Sequence, residues 1–202
     1  MHSEVLSFEQ KLLFSLVKKF SDKFYLAGGT AVALQLGHRR SFDFDLLTSF
    51  KINAAKIRDQ ISKDEKIEAV LVDEANEFTV IVNQVKFTFL RYPFQIPLKV
   101  KYQGIRMPDV LTLGAMKAYT LGRRAKWKDY VDLYFIIGIF SFKKVIDAAV
   151  DIYGDEFNEK LFREQLAYFG DIDYSEEIDF MKGFKIDDNK IKKELVKFSL
   201  TK

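Results

Sequence analysis

Asp43 and Asp45, one residue apart in SFDFD, are the side chains of this sequence best suited to chemistry. Alternate residues of a strand project from one face, so the two carboxylates point together while Phe42, Phe44 and Leu46 point into a core. Like charges this close repel, and burying them is costly without a cation nearby. Such a pair can share a magnesium or manganese ion, or grip two, as in enzymes that displace pyrophosphate in line. It can equally sit on a strand end in salt bridges with Arg39 or Arg40. The preceding stretch, LAGGTAVALQLGHRRS, bears on the choice. Gly28 and Gly29 follow an apolar strand and open a helix from Thr30 to Leu36, which Gly37 stops. The amides of this turn, through Thr30 and Ala31, can face an anion with the help of the helix dipole. Phosphate donors and metal-holding carboxylates would then converge, with Arg39, Arg40 and Ser41 between them.

These residues need elements to position them. EVLSFEQKLLFSLVKKF, residues 4–20, places Val5, Phe8, Leu12, Leu13, Leu16, Val17 and Phe20 at helical spacing. Strands are expected over 24–27 and 42–47, then a helix over 51–62. Three strands follow at about 67–72, 77–82 and 85–91, with DEAN and Asn83-Gln84 as turns, so their directions alternate. Pro93 and Pro97 break the pattern. From Pro108 onward the sequence is helical through DVLTLGAMKAYTLGRR, WKDYVDLYFIIGIF, SFKKVIDAAVDIYG, FNEKLFREQLAYFG and IKKELVKFSL. The expected fold class is α+β: a mixed sheet flanked by helices over residues 1–107, followed by a helical domain over 108–202 packed on it.

Composition narrows the chemistry. The 202 residues are 48% hydrophobic and 15% aromatic, enough for a substantial core. No run of 18 or more apolar residues occurs, and the start lacks a signal-peptide layout, so a cytoplasmic protein without a membrane partner is expected. Without cysteine, and with only His2 and His38, disulfides and thiolate or histidine-rich zinc sites are excluded; any metal must be held by oxygen. The net charge of +3 is uneven: residues 1–150 carry 23 basic against 16 acidic side chains, and residues 151–180 carry 2 against 10. The basic body is compatible with a polyanionic partner, and the acidic segment reads as a solvated helical face.

GGTAVALQLGHRRSFDFDLL resembles the signature of nucleotidyltransferases related to DNA polymerase beta, and specifically the AbiEii/AbiGii-type toxin branch. There a glycine pair precedes Thr-Ala-hydrophobic-Ala, then His-Arg-Ser/Thr and Asp-x-Asp. A second block, AMKAYTLGRRAKWKDYVDLYFI, is similar to the family's downstream basic and acidic helix pair. The resemblance implies an α/β-type nucleotidyltransferase fold and transfer of a nucleoside monophosphate from an NTP to an RNA (tRNA) or protein acceptor. It implies a Mg2+ or Mn2+ cofactor held by Asp43 and Asp45, and an antitoxin protein as partner. Gly28, Gly29, Thr30, Arg39, Arg40 and Ser41 are then expected around the nucleotide. Lys117, Arg123, Arg124 and Lys128 are expected at the triphosphate, with Asp129 and Asp132 orienting them or helping near the reaction centre. The structural alternative is that Asp129 and Asp132 pair with basic neighbours to hold two helices together.

One departure stands out. The superfamily usually supplies a third carboxylate from a later strand, where this sequence has Thr88, and no Asp or Glu occurs between Phe78 and Pro108. Either a base is borrowed from Glu77, Asp129 or the substrate, or the protein binds nucleotide on the same fold without transferring it.

Overall fold

The computed structural model describes residues 1–121 and 123–201. They form two compact units, Met1–Asp109 and Val110–Lys202.

In the first unit, a short 3-10 turn over Ser3–Val5 precedes α1, Phe8–Lys19. The helix starts at Phe8 rather than Glu4 because Ser7 and Gln10 form a reciprocal capping box: the Gln10 amide donates to Ser7 Oγ (3.1 Å) and the Ser7 amide to Gln10 Oε1 (3.0 Å). Of the expected apolar stripe, Val5, Leu13, Leu16, Val17 and Phe20 are buried. Phe8 and Leu12 face outward, a correction to the sequence reading: one helix face cannot hold the whole set.

Strand β1, Tyr25–Ala27, leads directly into α2, Gly28–Leu36, which ends on Gly37 in the left-handed conformation (φ 70°). Then come β2, Asp43–Thr48, and α3, Ala54–Ser62, the latter capped by Asn53. Next are β3, Ile67–Asp73, β4, Glu77–Val82, and β5, Val85–Arg91. The five strands form one sheet in the order β1-β2-β5-β4-β3, with β2 and β5 parallel and the other pairs antiparallel. The mixed sheet flanked by helices is therefore the one expected from the sequence. One face carries Phe44, Phe78, Phe87 and Phe89, all fully buried, against Phe14 and Phe20 of the α1 region; Phe14 meets Phe44 edge-on at 6.0 Å and Phe20 meets Phe89 at 4.8 Å. Phe42 lies just before β2 and is exposed, so it does not join this core as expected. A second hairpin, β6 (Val100–Tyr102) and β7 (Ile105–Met107), was not anticipated. Its signal is Gln103-Gly104 between VKY and IRM, where both turn residues have positive φ.

The second unit is helical: α4 (Val110–Leu121), α5 (Trp127–Phe140), α6 (Phe142–Tyr153), α7 (Glu159–Ala167) and α8 (Asp188–Ser199). The acidic stretch expected as one helical face is helical only in part. Residues 171–177 are irregular and clamp the entry to α5, where Asp173 exchanges backbone hydrogen bonds with Ala125 (2.7 Å) and Trp127 (3.0 Å). Among the described residues no helix is long and apolar enough to cross a membrane.

Candidate nucleotide site

In the first unit the site is built at the start of β2. Register places Asp45 between Ala27 of β1 and Thr88 of β5, and Asp43 beside Lys86 of β5. Asp43 and Asp45 are half-buried and share the face opposite the phenylalanine core, as strand alternation requires. One cation beside the pair is Lys86, whose Nζ lies 2.8 Å from Asp43 Oδ2. Sequence reasoning missed Lys86, because its distance along the chain hides a pairing that only the parallel register creates.

The residue after Ala27 is Gly28, with φ +63°. A Cβ there would lie 1.9 Å from Asp45 Oδ2, so the carboxylate occupies the space a side chain would fill. A Cβ on Gly29 would come within 2.8 Å of both the Arg39 guanidinium and Ser41 Oγ. The glycine pair thus lets the start of α2 approach both the acidic pair and the Arg39-Ser41 segment. Ala27 supplies no side-chain cap to α2. Thr30 ties the helix to the strand by donating its hydroxyl to the Asp43 carbonyl, and Gln10 Nε2 also approaches that oxygen (3.5 Å). Arg39 is nearly fully buried and donates to the Arg40 carbonyl (2.8 Å); Ser41 is buried and Arg40 half-buried. His38 is fully buried. Gly28, Gly29, Thr30, Arg39, Ser41, Asp43 and Asp45 are thus brought together within one unit.

Asp43 and Asp45 fit a hard cation of the magnesium type. Both ligands are carboxylate oxygens on one half-exposed face, Gly28 leaves room for the Asp45 carboxylate, and such an ion takes its remaining ligands from water and phosphate. Among the described residues no group of three or more His, Asp or Glu converges on a metal position.

Beyond Asp45 the same sheet face carries a row of hydroxyls. Thr88 pairs with Asp45 on one side and Thr79 of β4 on the other. The Thr79 hydroxyl donates to Glu77 Oε1 (2.8 Å), and its oxygen lies 3.5 Å from Thr88 Oγ1. Glu77 is thus the next carboxylate on that face.

The second unit holds the remaining expected residues in separate groupings. Lys117 of α4 is buried between two carboxylates of α5, with Nζ 2.6 Å from Asp129 Oδ1 and 2.7 Å from Asp132 Oδ2. Arg124 Nε reaches Asp129 Oδ2 at 3.1 Å, with about half its side chain exposed. Burial works against the Asp129 carboxylate, yet the Lys117 and Arg124 charges outweigh it and hold its pKa below the ordinary value. Arg123 lies over the Tyr119 ring (3.6 Å to the centroid) and donates to the Tyr119 carbonyl (2.8 Å). Tyr119 stacks on Tyr153 at 4.0 Å, and Trp127 is buried near Tyr130.

Lys128 pairs with Glu176, as does Lys126 (2.7 Å). Partial burial of Glu176 is outweighed by these two ammonium donors, which bring its pKa from 4.5 to about 2. A depressed carboxylate stabilises fully above its ordinary pKa, and that stabilisation is lost as pH falls through the depressed value. Thermal melts should therefore show Glu176→Gln less stable than the parent at neutral pH, with the gap closing between about pH 4.5 and pH 2. A gap that stays constant across that range would remove the clamp assignment.

With this geometry in place, the chain is similar to known proteins in fold and, over part of its length, in sequence. The fold is that of nucleotidyltransferases. It aligns with MenT4, a nucleotidyltransferase toxin of Mycobacterium tuberculosis H37Rv, at TM-score 0.65 and 15% identity, covering 95% of this chain and 82% of that one. It also aligns with a putative nucleotidyltransferase from H. pylori at TM-score 0.56 and 16% identity, covering 95% and 91% of the two chains. Residues 11–107 match the family described as nucleotidyl transferase AbiEii toxin, of type IV toxin-antitoxin systems. An uncharacterized protein of Aquifex aeolicus (strain VF5) is 32% identical over 119 residues, which span 56% of this chain and 57% of that protein.

Proposed function

We propose that the protein transfers a nucleoside monophosphate from an NTP to an acceptor hydroxyl, on RNA such as tRNA or on a protein, as a toxin restrained by an antitoxin partner. The observation that carries this reading is the Asp43-Asp45 face lying directly on the glycine turn at the start of α2. A divalent cation, Mg2+ or Mn2+, held by Asp43 and Asp45 would neutralise the triphosphate and the leaving pyrophosphate. The amides of Gly28, Gly29 and Thr30 receive phosphate oxygens, and Arg39, Arg40 and Ser41 line the same approach. Lys86 exchanges Asp43 for phosphate when nucleotide binds. Lys117 is assigned to hold Asp129, which orients Arg124.

The acceptor oxygen bonds to the α-phosphorus as the bond to pyrophosphate breaks, and its proton must leave. We assign that proton to Glu77, passed through the hydroxyls of Thr88 and Thr79, in place of a carboxylate at position 88. General-base assistance of this kind contributes typically about 10²–10⁴-fold.

Incubation with each labelled NTP, Mg2+ or Mn2+, and pools of RNA and protein tests the reading. Asp45→Asn should lower incorporation by about three orders of magnitude or more, to background. Glu77→Gln should lower it roughly 10²-fold. Incorporation unchanged in Asp45→Asn would sink the catalytic assignment. Thr88 also favours a second reading, nucleotide binding without transfer. Calorimetric binding of Mg-NTP with no label incorporated and no pyrophosphate released would establish that one instead.

A further inference from the structure

Among the described residues, strand β3 lies at one end of the sheet and pairs only with β4. Its sequence, IEAVLVD, is a poor edge: exposed edge strands usually carry charge or proline to discourage pairing, and this one carries four consecutive apolar residues. Register shifts beside Glu68 and Leu71 break the alternation, leaving Ala69, Val70 and Leu71 exposed in succession, with Val70 42% and Leu71 55% accessible. The acidic residues within the strand are engaged by their own chain. Glu68 Oε2 accepts from the Gln84 amide (3.1 Å), and Asp73 pairs with Arg58 (2.6 Å).

We propose that β3 pairs antiparallel with β3 of a second copy, joining the two five-stranded sheets. The pattern of charges selects the partner and the register. With Val70 on the two-fold axis, Ala69 faces Leu71, Glu68 faces Val72, and the exposed Lys66 faces the exposed Glu74 of the other copy, twice. Moving the axis to Leu71 sets Glu68 against Glu74, and moving it to Ala69 sets Glu65 against Asp73. Like charges directly opposite are unfavourable, so the Val70-centred pairing is the register that avoids them. The pattern is self-complementary, as a two-fold interface requires. A single strand pair is a small interface, so the association is weak and concentration-dependent.

Sedimentation equilibrium of the full chain up to about 0.2 mM, where a weak interface of this size associates, tests this directly. The parent should approach twice the monomer mass with rising concentration. Val70→Lys, at an exposed position, should stay monomeric with its melting temperature little changed. K66E alone and E74K alone should each weaken association about tenfold or more, because each sets like charges opposite twice. An equimolar mixture of K66E and E74K should recover it, since the two variants complement each other across the pair. A parent that remains monomeric overturns the proposal, as does a dimer indifferent to Val70→Lys or a mixture no tighter than either variant alone. Because the readout is mass rather than catalysis, the result is independent of whether nucleotide is transferred.

Discussion

Replacing Gly28 with alanine is expected to cut metal-dependent nucleotide binding by roughly 10²-fold, since ångström-scale misplacement of a site group has effects of that order. The added methyl would begin 1.9 Å from Asp45 Oδ2, so the carboxylate must leave the position that the β2 register gives it. The substitution also places a side chain at φ +63°, which costs about 1–2 kcal/mol. That is small against the ordinary stability of a folded domain, so the variant should remain folded. Gly183→Ala is the matched control: its φ is +89° and a methyl there meets nothing within 4 Å, so it carries the backbone cost alone. Calorimetry with Mg-NTP should separate the two variants. If both bind equally, the contact between Gly28 and Asp45 is packing and the site assignment fails.

The largest stability effect is expected at Lys117. Replacing it with methionine keeps much of the aliphatic stem and removes the charge that Asp129 and Asp132 share while both are buried. Breaking a buried pair in this way typically costs about 3–5 kcal/mol, because the two buried carboxylates lose the cation they share. Denaturant titration should show that loss at neutral pH. The sign of the pH dependence follows from the depressed pKa of Asp129. In the parent its contribution is present above the ordinary carboxylate value of 3.8 and is lost as pH falls through the depressed one. In Lys117→Met the deficit should shrink on acidification, since protonated carboxyls are cheaper to bury. Combining it with Asp129→Asn and Asp132→Asn should recover much of the stability. A mild, pH-independent loss in the single variant would mean that Lys117 is held there for another task.

How much of this was legible depends on whether the signal was local. The glycine turn, the alternation of Asp43 and Asp45 and the strand after Gln84 are consequences of spacing along a few residues, and the structure builds them where spacing put them. The start of α1 was misplaced because the apolar stripe ran through a serine cap; the reciprocal bonds of Ser7 and Gln10 overrode the periodicity. Phe8, Leu12 and Phe42 look like core in sequence and lie outside, since a period says which residues share a face but not where packing ends. Lys86 and Glu77 were hardest to place. Both reach the carboxylate face through strand pairing, which no local pattern encodes.

That pairing also sets the order in which the molecule can come into being. Strands β3, β4 and β5 follow one another through short turns and can form a meander soon after leaving the ribosome. Strand β2 must wait, because its neighbour on that side is β5, with Asp43 opposite Lys86 and Thr48 opposite Arg91. Closing so long a stretch of chain is slow compared with making a hairpin. A nascent chain halted before β5 therefore carries both aspartates and the glycine turn without the strand that fixes them. For the proposed toxin, synthesis and completion of the site are separated by the sheet order itself.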